Sequence, residues 1–372
     1  MLKRIIMKLK KTLTDKPLMV IFRTGILIII TLFLFTGFQP GKRIQNPYEH
    51  VDWSKYKPYK ANLNTHTMVS NGWENPQTVV KYYRDLGYNV LAITDPGMVT
   101  YPWENFSGFR TSELTFSRIY HLVVRPLQDH SIPVQDTLFT NVSTSETGMI
   151  AIQGCKLTFD KHEVNSYFND QECSDGNIFK DVAKKNGLMI INHPGKEIYP
   201  LRWYSDLFRS HKHLVGLEVF RSAGLYPDIR SLWDSVLTVM SPDRPVWGFA
   251  NDNFLSRRDL GESWNVFWLP ELNEKEVRKA MEKGSFFMVH APLGHDGHAP
   301  PEVKSIKVDQ RKGTILIHAI ECDSLLWVSE GKVLGRAAQI QKNELPEECS
   351  YVRAEIYGRG KTVVFTQPFF IK

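Results

Sequence analysis

From residue 61 onward, short apolar runs alternate with stretches whose apolar residues recur every three or four positions. Leu63 falls in a first strand, Val79, Val80, Tyr83 and Leu86 mark one face of a helix over 76–86, and residues 90–94 read as a second strand. That rhythm predicts parallel strands and an α/β class. It returns later in the chain: helix 178–185, strand 187–192 running into His193-Pro194, strand 215–220, helix 231–239, strand 246–251, and an amphipathic helix over 274–283. Repeated units with polar residues at the strand ends suit a barrel whose site lies at the carboxyl ends of its strands. Residues 105–150 fit the rhythm poorly and read as an insertion.

After His298-Ala299-Pro300-Pro301 the pattern changes. The runs 306–308, 314–320, 325–328, 351–356 and 362–365 are short, β-rich and separated by Gly, Asp, Lys and Glu. Closely spaced strands without intervening helices predict a small antiparallel β-sandwich. The expected organisation is a basic segment over 1–17, an apolar segment over 18–38, a linker over 39–57, an α/β domain over 58–300 and a β-sandwich over 301–372.

The apolar segment is about as long as the ~20 residues that a spanning helix needs, with Arg23 near its inner end. A cleaved secretory signal has a shorter apolar core, about 7–15 residues, followed by small residues, and Phe35-Thr36-Gly37 is a poor cleavage site. The expectation is an uncleaved signal anchor, with a cleaved signal as the alternative. Lys3, Arg4, Lys8, Lys10, Lys11 and Lys16 precede the run, which keeps the amino terminus in the cytoplasm and places the bulk of the chain outside it, in the periplasm or cell envelope. The chain has 46 Lys plus Arg against 40 Asp plus Glu, so without those six the charge is near neutral and nothing favours nucleic-acid binding.

Cys155, Cys173, Cys322 and Cys349 lack metal-ligand spacing. In an oxidising compartment two disulfides, most economically Cys155–Cys173 and Cys322–Cys349, compete with four buried thiols. His290, His295 and His298 with Asp296 lie in a Gly- and Pro-rich segment and read as a solvated loop. Neither a G-x-G-x-x-G nor a P-loop lysine motif is present.

Residues 61–74 read Ala-Asn-Leu-Asn-Thr-His-Thr-Met-Val-Ser-Asn-Gly-Trp-Glu, and residues 90–97 read Val-Leu-Ala-Ile-Thr-Asp-Pro-Gly. This resembles the opening of the PHP (polymerase and histidinol phosphatase) family of metal-dependent phosphoesterases, whose pattern is N-L-H-x-H-(T/S)-x-x-S-D-G followed by a strand ending T-D-H-G. The resemblance covers roughly 58–290 and implies a distorted (β/α) barrel holding two or three metal ions at its strand ends. His66 matches the second His of the pair, whereas Asn64, Asn71 and Pro96 stand at substituted ligand positions. Asp95 matches a residue that more often supports the loop. Residues 152–157, Ile-Gln-Gly-Cys-Lys-Leu, resemble the strand whose Glu bridges two metals, and Lys156 stands at that Glu. In His162-Glu163-Val164-Asn165 either His162 or Glu163 falls at a ligand position. His193 matches the strand-terminal H-P, Glu218 reads as structural, and Asp252 matches the closing Asp while Phe254 or Leu255 replaces the last His.

His66, His193 and Asp252, with Glu163 or His162, are therefore the candidate ligands. They suffice for at most one divalent ion, Zn, Mn or Fe, and do not rebuild a cluster, because an amide oxygen is a weak donor and proline is none. The resemblance implies a membrane-anchored phosphoesterase-like domain with an eroded metal site, binding a small anionic or phosphorylated ligand with little or no turnover. The alternative is an active phosphoester hydrolase using one metal held by His66, His193 and Asp252, with Lys156 stabilising phosphate charge. The sequence names no protein partner.

Overall fold

The first helix shows why the chain folds locally as its pattern predicts. Asn75 caps it by accepting the N–H of Thr78 at 2.9 Å, Pro76 occupies its first turn, and Val79, Val80 and Tyr83 turn inward. In this computed structural model, described over residues 43–108, 140–172, 176–194, 199–221 and 229–372, helices span Pro76–Asp85 (α1), Thr144–Thr147 (α2), Ile178–Lys184 (α3), Leu201–Ser210 (α4), Ile229–Met240 (α5) and Glu274–Lys283 (α6). The expected membrane segment 18–38 and the middle of the expected insertion lie outside the described residues. Among those described, no helix is long and apolar enough to cross a membrane.

Two sheets carry the site. Five strands, Gly154–Phe159 (β5), His162–Tyr167 (β6), Leu188–Ile191 (β7), Leu214–Arg221 (β8) and Trp247–Asn251 (β9), pair in sequence order. β7, β8 and β9 run parallel, while β5, β6 and β7 alternate in direction. The larger sheet contains Ile44–Gln45 (β1), Lys57–Thr65 (β2), Val90–Ile93 (β3), Ile150–Ala151 (β4), Ser263–Leu269 (β10) and Phe286–His290 (β11). Here β2, β3 and β4 are parallel, but β10 lies antiparallel between β2 and β11.

Among the described residues the strands of the expected distorted barrel lie in separate sheets rather than in one continuous ladder. The two sheets meet through the isolated bridges Thr65–Phe254 and Pro96–Lys156 rather than through continuous ladders. The open edge of β9 is satisfied by side-chain amides: Asn265 bonds both the N–H and the C=O of Ala250 (3.1 and 2.7 Å), and Gln367 does the same to Gly248 (2.9 and 2.7 Å). An amide that donates and accepts at once replaces a strand neighbour, so the N–H and C=O of Gly248 and Ala250 are paired.

The expected boundary near residue 300 is crossed by the larger sheet. Glu302–Asp309 (β12), Thr314–Ile320 (β13), Ser324–Ser329 (β14), Lys332–Gly335 (β15), Gln339–Gln341 (β16), Tyr351–Tyr357 (β17), Val363–Phe365 (β18) and Phe369–Ile371 (β19) are the closely spaced strands of the carboxyl-terminal part. β12, β13 and β16 form a separate three-stranded sheet, whereas β18 pairs with β11, and β19 pairs with β17 and β1. Val303, Ile306, Ile315, Ile317 and Ile340 pack with Trp327, Val352 and Ala354 in one apolar cluster. Residues 44–372 therefore form one compact unit.

Cys322 and Cys349 do not form the disulfide weighed above. Cys349 instead donates to the carbonyl of Tyr351 at 2.9 Å, while Cys173 lies outside the described residues.

A lysine at the centre of the candidate site

The β5–β6 hairpin places the central pair. Asp160 and Lys161, both with positive φ (46° and 65°), make its two-residue turn, and the register sets Lys156 opposite Asn165 and Thr158 opposite Glu163. Lys156 and Glu163 are thus diagonal neighbours on one face, while His162 points to the other. The Lys156 ammonium lies 2.7 Å from Glu163 Oε2, 2.7 Å from His66 Nε2 and 3.3 Å from Asn253 Oδ1, and its side chain is only 5% exposed. Three donors therefore face three acceptors.

His193, at the end of β7, closes the cluster. Its Nε2 lies 3.3 Å from Glu163 Oε2, and its Nδ1 lies 2.7 Å from Oε2 of the fully buried Glu218. Glu218 also accepts from the His193 backbone N–H at 3.1 Å and from the amides of Asn64 (3.1 Å) and Asn251 (3.0 Å). Burial pushes the Glu218 carboxyl up, but His193 and the two amides outweigh it and hold it below the usual carboxylate range. Glu163 behaves alike: burial raises it, and His193 and Lys156 bring it well below. Burial and the adjacent Lys156 charge hold His66 well below an ordinary imidazole.

The loop after β2 is fastened by Asp95, which accepts from the Thr67 backbone (2.8 Å) and from the hydroxyls of Thr67 (2.8 Å), Thr100 (2.7 Å) and Ser70. Gly72 is required in that loop because a Cβ there would stand 2.7 Å from the His66 backbone. Asn71 is exposed, its Oδ1 3.2 Å from Ser70 Oγ and outside the cluster, and Pro96 is joined to Lys156 by a backbone bridge.

The structure places three of the candidate positions as follows. Asp252 is not aimed at the cluster: Oδ1 accepts the N–H groups of Glu262 and Ser263, and Oδ2 accepts the Gly261 N–H and the Tyr83 hydroxyl, all at 2.8–2.9 Å. Of the alternatives His162 and Glu163, only Glu163 reaches the cluster. His162 instead meets the Tyr204 hydroxyl at 3.2 Å among Tyr199, Trp203 and Tyr204. Phe254 is fully buried against Tyr83, and the polar group from that segment is Asn253, held at φ 49°. The sequence signal for Asn253 was available, since asparagine tolerates the left-handed region that turns its amide toward Lys156. In the other histidine group, His290 is half-buried and bonds the Ser263 hydroxyl at 2.9 Å.

The donors present do not fit a metal cluster. His66 Nε2 and Glu163 Oε2 converge on one point, as ligands converge on a cation, but that point is an ammonium nitrogen whose charge repels a dication. Among the described residues no group of three or more His, Cys, Asp or Glu is placed to hold a metal.

This arrangement predicts acid sensitivity. Glu163 and Glu218 have folded values below the unfolded 4.5, so the stability they supply is present above that pH and is lost as pH falls further. His66, depressed below 6.5, acts in the same sense, because the unfolded chain takes up its proton first on acidification. Asp95 and Asp252, raised chiefly by burial, act oppositely. Urea unfolding should show stability falling between about pH 7 and about pH 5, and His66→Gln should flatten that fall; an unchanged slope would show that His66 titrates normally.

No family model matches the chain, and no curated protein matches it by sequence. Solved structures to which it is similar include a two-domain protein from Bacteroides vulgatus containing a predicted PHP-like metal-dependent phosphoesterase, at 14% identity and a TM-score of 0.45, covering 90% of this chain and 91% of that one. A protein from Bifidobacterium adolescentis assigned as a metal-dependent phosphoesterase has 12% identity and a TM-score of 0.37, covering 60% of this chain and 96% of that one. An amidohydrolase from Chromobacterium violaceum with bound sulfate and no metal has 10% identity and a TM-score of 0.36, covering 60% of this chain and 95% of that one.

Proposed function

We propose that this chain is a PHP-like phosphoesterase homologue whose eroded metal centre has been taken over by the Lys156 ammonium, leaving a pocket that binds a small anionic or phosphorylated ligand without hydrolysing it. The observation that carries the reading is the pair of 2.7 Å contacts from Lys156 Nζ to His66 Nε2 and Glu163 Oε2. A fixed monocation there balances Glu163 and removes the need for a metal. An incoming phosphoryl or carboxylate oxygen would take over the contact of the ammonium to Asn253, at 3.3 Å. Lysine suits that exchange, being a compact point charge with three donors. The basic segment and apolar run before residue 39 support a membrane anchor with residues 44–372 on the extracytoplasmic side.

The alternative, a hydrolase using one metal, draws on the same convergence of His66, Glu163 and His193, and requires Lys156 to swing away. Elemental analysis and thermal unfolding in phosphate separate the two. The expected outcome is protein with no tightly held Zn, Mn or Fe and a stabilisation of about 2.7 kcal/mol at a phosphate concentration 100 times the dissociation constant. Lys156→Ala should remove that stabilisation. Metal surviving dialysis, or an equal phosphate shift in the variant, would overturn the reading.

A further inference from the structure

We infer that the turn between β12 and β13, Gln310 to Gly313, is the face that the folded unit lays on a bilayer, and that its partner there is the headgroup layer of anionic phospholipids. The inference rests on the membrane-anchor part of the proposed function, and it adds which side of residues 44–372 meets the lipid.

The first ground is the reach of the chain. The apolar run ends at Phe38 and β1 begins at Ile44, so only Gln39 to Arg43 lie between them. A segment of that length spans at most about 18 Å when fully extended. Whatever surrounds Ile44 on the folded unit is therefore held beside the membrane. Ile44 is itself fixed in place. It pairs in register with Ile371 of β19, and the Gln310 side-chain amide accepts its N–H at 3.1 Å and donates to its carbonyl at 2.6 Å. That clasp works as the Asn265 and Gln367 amides do at β9, and it seats the β12–β13 turn against the point where the chain enters the fold.

The second ground is charge. Arg311 and Lys312 are exposed in the turn, and the Asp309 side chain accepts both of their backbone N–H groups, at 2.9 and 3.0 Å, which fixes the turn that presents them. Lys342 joins them, its backbone N–H bonded to the Gly313 carbonyl at 2.7 Å. Lys42 and Arg43 immediately precede Ile44 in the chain. Two carboxylates stand among these basic residues, Asp309 and Glu344, and Glu344 is engaged with the Gln341 N–H at 2.6 Å. The balance around the entry point is therefore positive. Basic residues next to a membrane segment are drawn to anionic lipid, each being worth about five-fold in occupancy. The candidate site, built on β2, β5, β6 and β7, shares no residue with this surface, so the two can be tested apart.

The test uses the full-length chain. Alkaline carbonate extraction of membranes first shows whether it is anchored. The chain is then placed in nanodiscs of phosphatidylcholine, alone or mixed with phosphatidylglycerol, each with a trace of lipid bearing a photoreactive headgroup, and the crosslinked peptides are located by mass spectrometry. The expected result is a chain that resists extraction and crosslinks concentrated on Asp309 to Thr314 in the phosphatidylglycerol discs. Their yield should fall about five-fold or more in phosphatidylcholine alone, and likewise in Arg311→Glu/Lys312→Glu. Melting curves establish that this variant is folded, and the comparison of lipids needs no variant at all. Crosslinks centred on another face, or equal yields in the two lipids, overturn the lipid-facing surface and leave the anchor standing. Release of the chain by carbonate overturns the anchor and this inference with it.

Discussion

Arg353→Met should cost about 3–5 kcal/mol, the usual price of leaving a buried ion network without one partner. Arg353, 1% exposed on β17, makes a bidentate pair with Asp234 of α5 (2.8 and 2.7 Å) and a third bond to Glu355 at 2.6 Å. Its guanidinium also lies over the rings of Trp233 (5.1 Å) and Phe365 (4.8 Å). Asp234 takes the Tyr351 hydroxyl at 3.0 Å, so methionine would leave two buried carboxylates and a tyrosine facing an apolar chain. The network ties the carboxyl-terminal strands to the helix preceding β9. For a unit of this size the loss should appear as a fall in melting temperature of about 4–7 °C. Replacing Arg353, Asp234 and Glu355 together by apolar residues of similar volume should recover most of it, because such exchanges are near neutral. A single variant that melts with the wild type would show that the network contributes nothing.

That network was invisible in the sequence for the same reason that the partners of Asp252 were. Both depend on partners far along the chain: Arg353 meets Asp234, and Asp252 takes the Tyr83 hydroxyl. Local signals did better. The cap and apolar stripe of α1, and the strands around Val90, Ile190 and Phe249, are set by residues within a turn or two of one another. Pairing direction is not local. Ser263–Leu269 carries Trp264, Phe267, Trp268 and Leu269 buried on both faces, so its composition shows neither the alternation of a one-sided strand nor its antiparallel place beside β2.

The candidate site was legible to the extent that the motif frame fixed positions. His66, His193 and Lys156 were singled out in the sequence, and the structure brings them together with Glu163. The choice between His162 and Glu163 was open because neighbouring strand residues face opposite sides, and only the pairing with β5 says which side is inward. Asn253 escaped because attention fell on the apolar residue after it, although a positive φ at asparagine is the feature that matters. Glu218 read as structural, and its bond to His193 makes it the group that orients that ring.

Lys156→Glu should let the cluster around His66 and Glu163 bind a divalent ion. The substitution exchanges the ammonium for a carboxylate at the point faced by His66 Nε2 and Glu163 Oε2, so the repulsion that excludes a dication becomes attraction. Without metal the variant should be less stable than wild type, since a third carboxylate joins Glu163 and Glu218. Zinc at 100 times its dissociation constant should return about 2.7 kcal/mol, a rise in melting temperature of about 4 °C. Lys156→Gln is the control, because it removes the ammonium without adding a ligand charge and should gain neither metal nor zinc-dependent stability. If both variants bind zinc alike, removal of the positive charge is what matters and the carboxylate adds nothing. If neither binds, His66, Glu163 and His193 do not form a ligand set, and the resemblance to a metal centre ends at the fold.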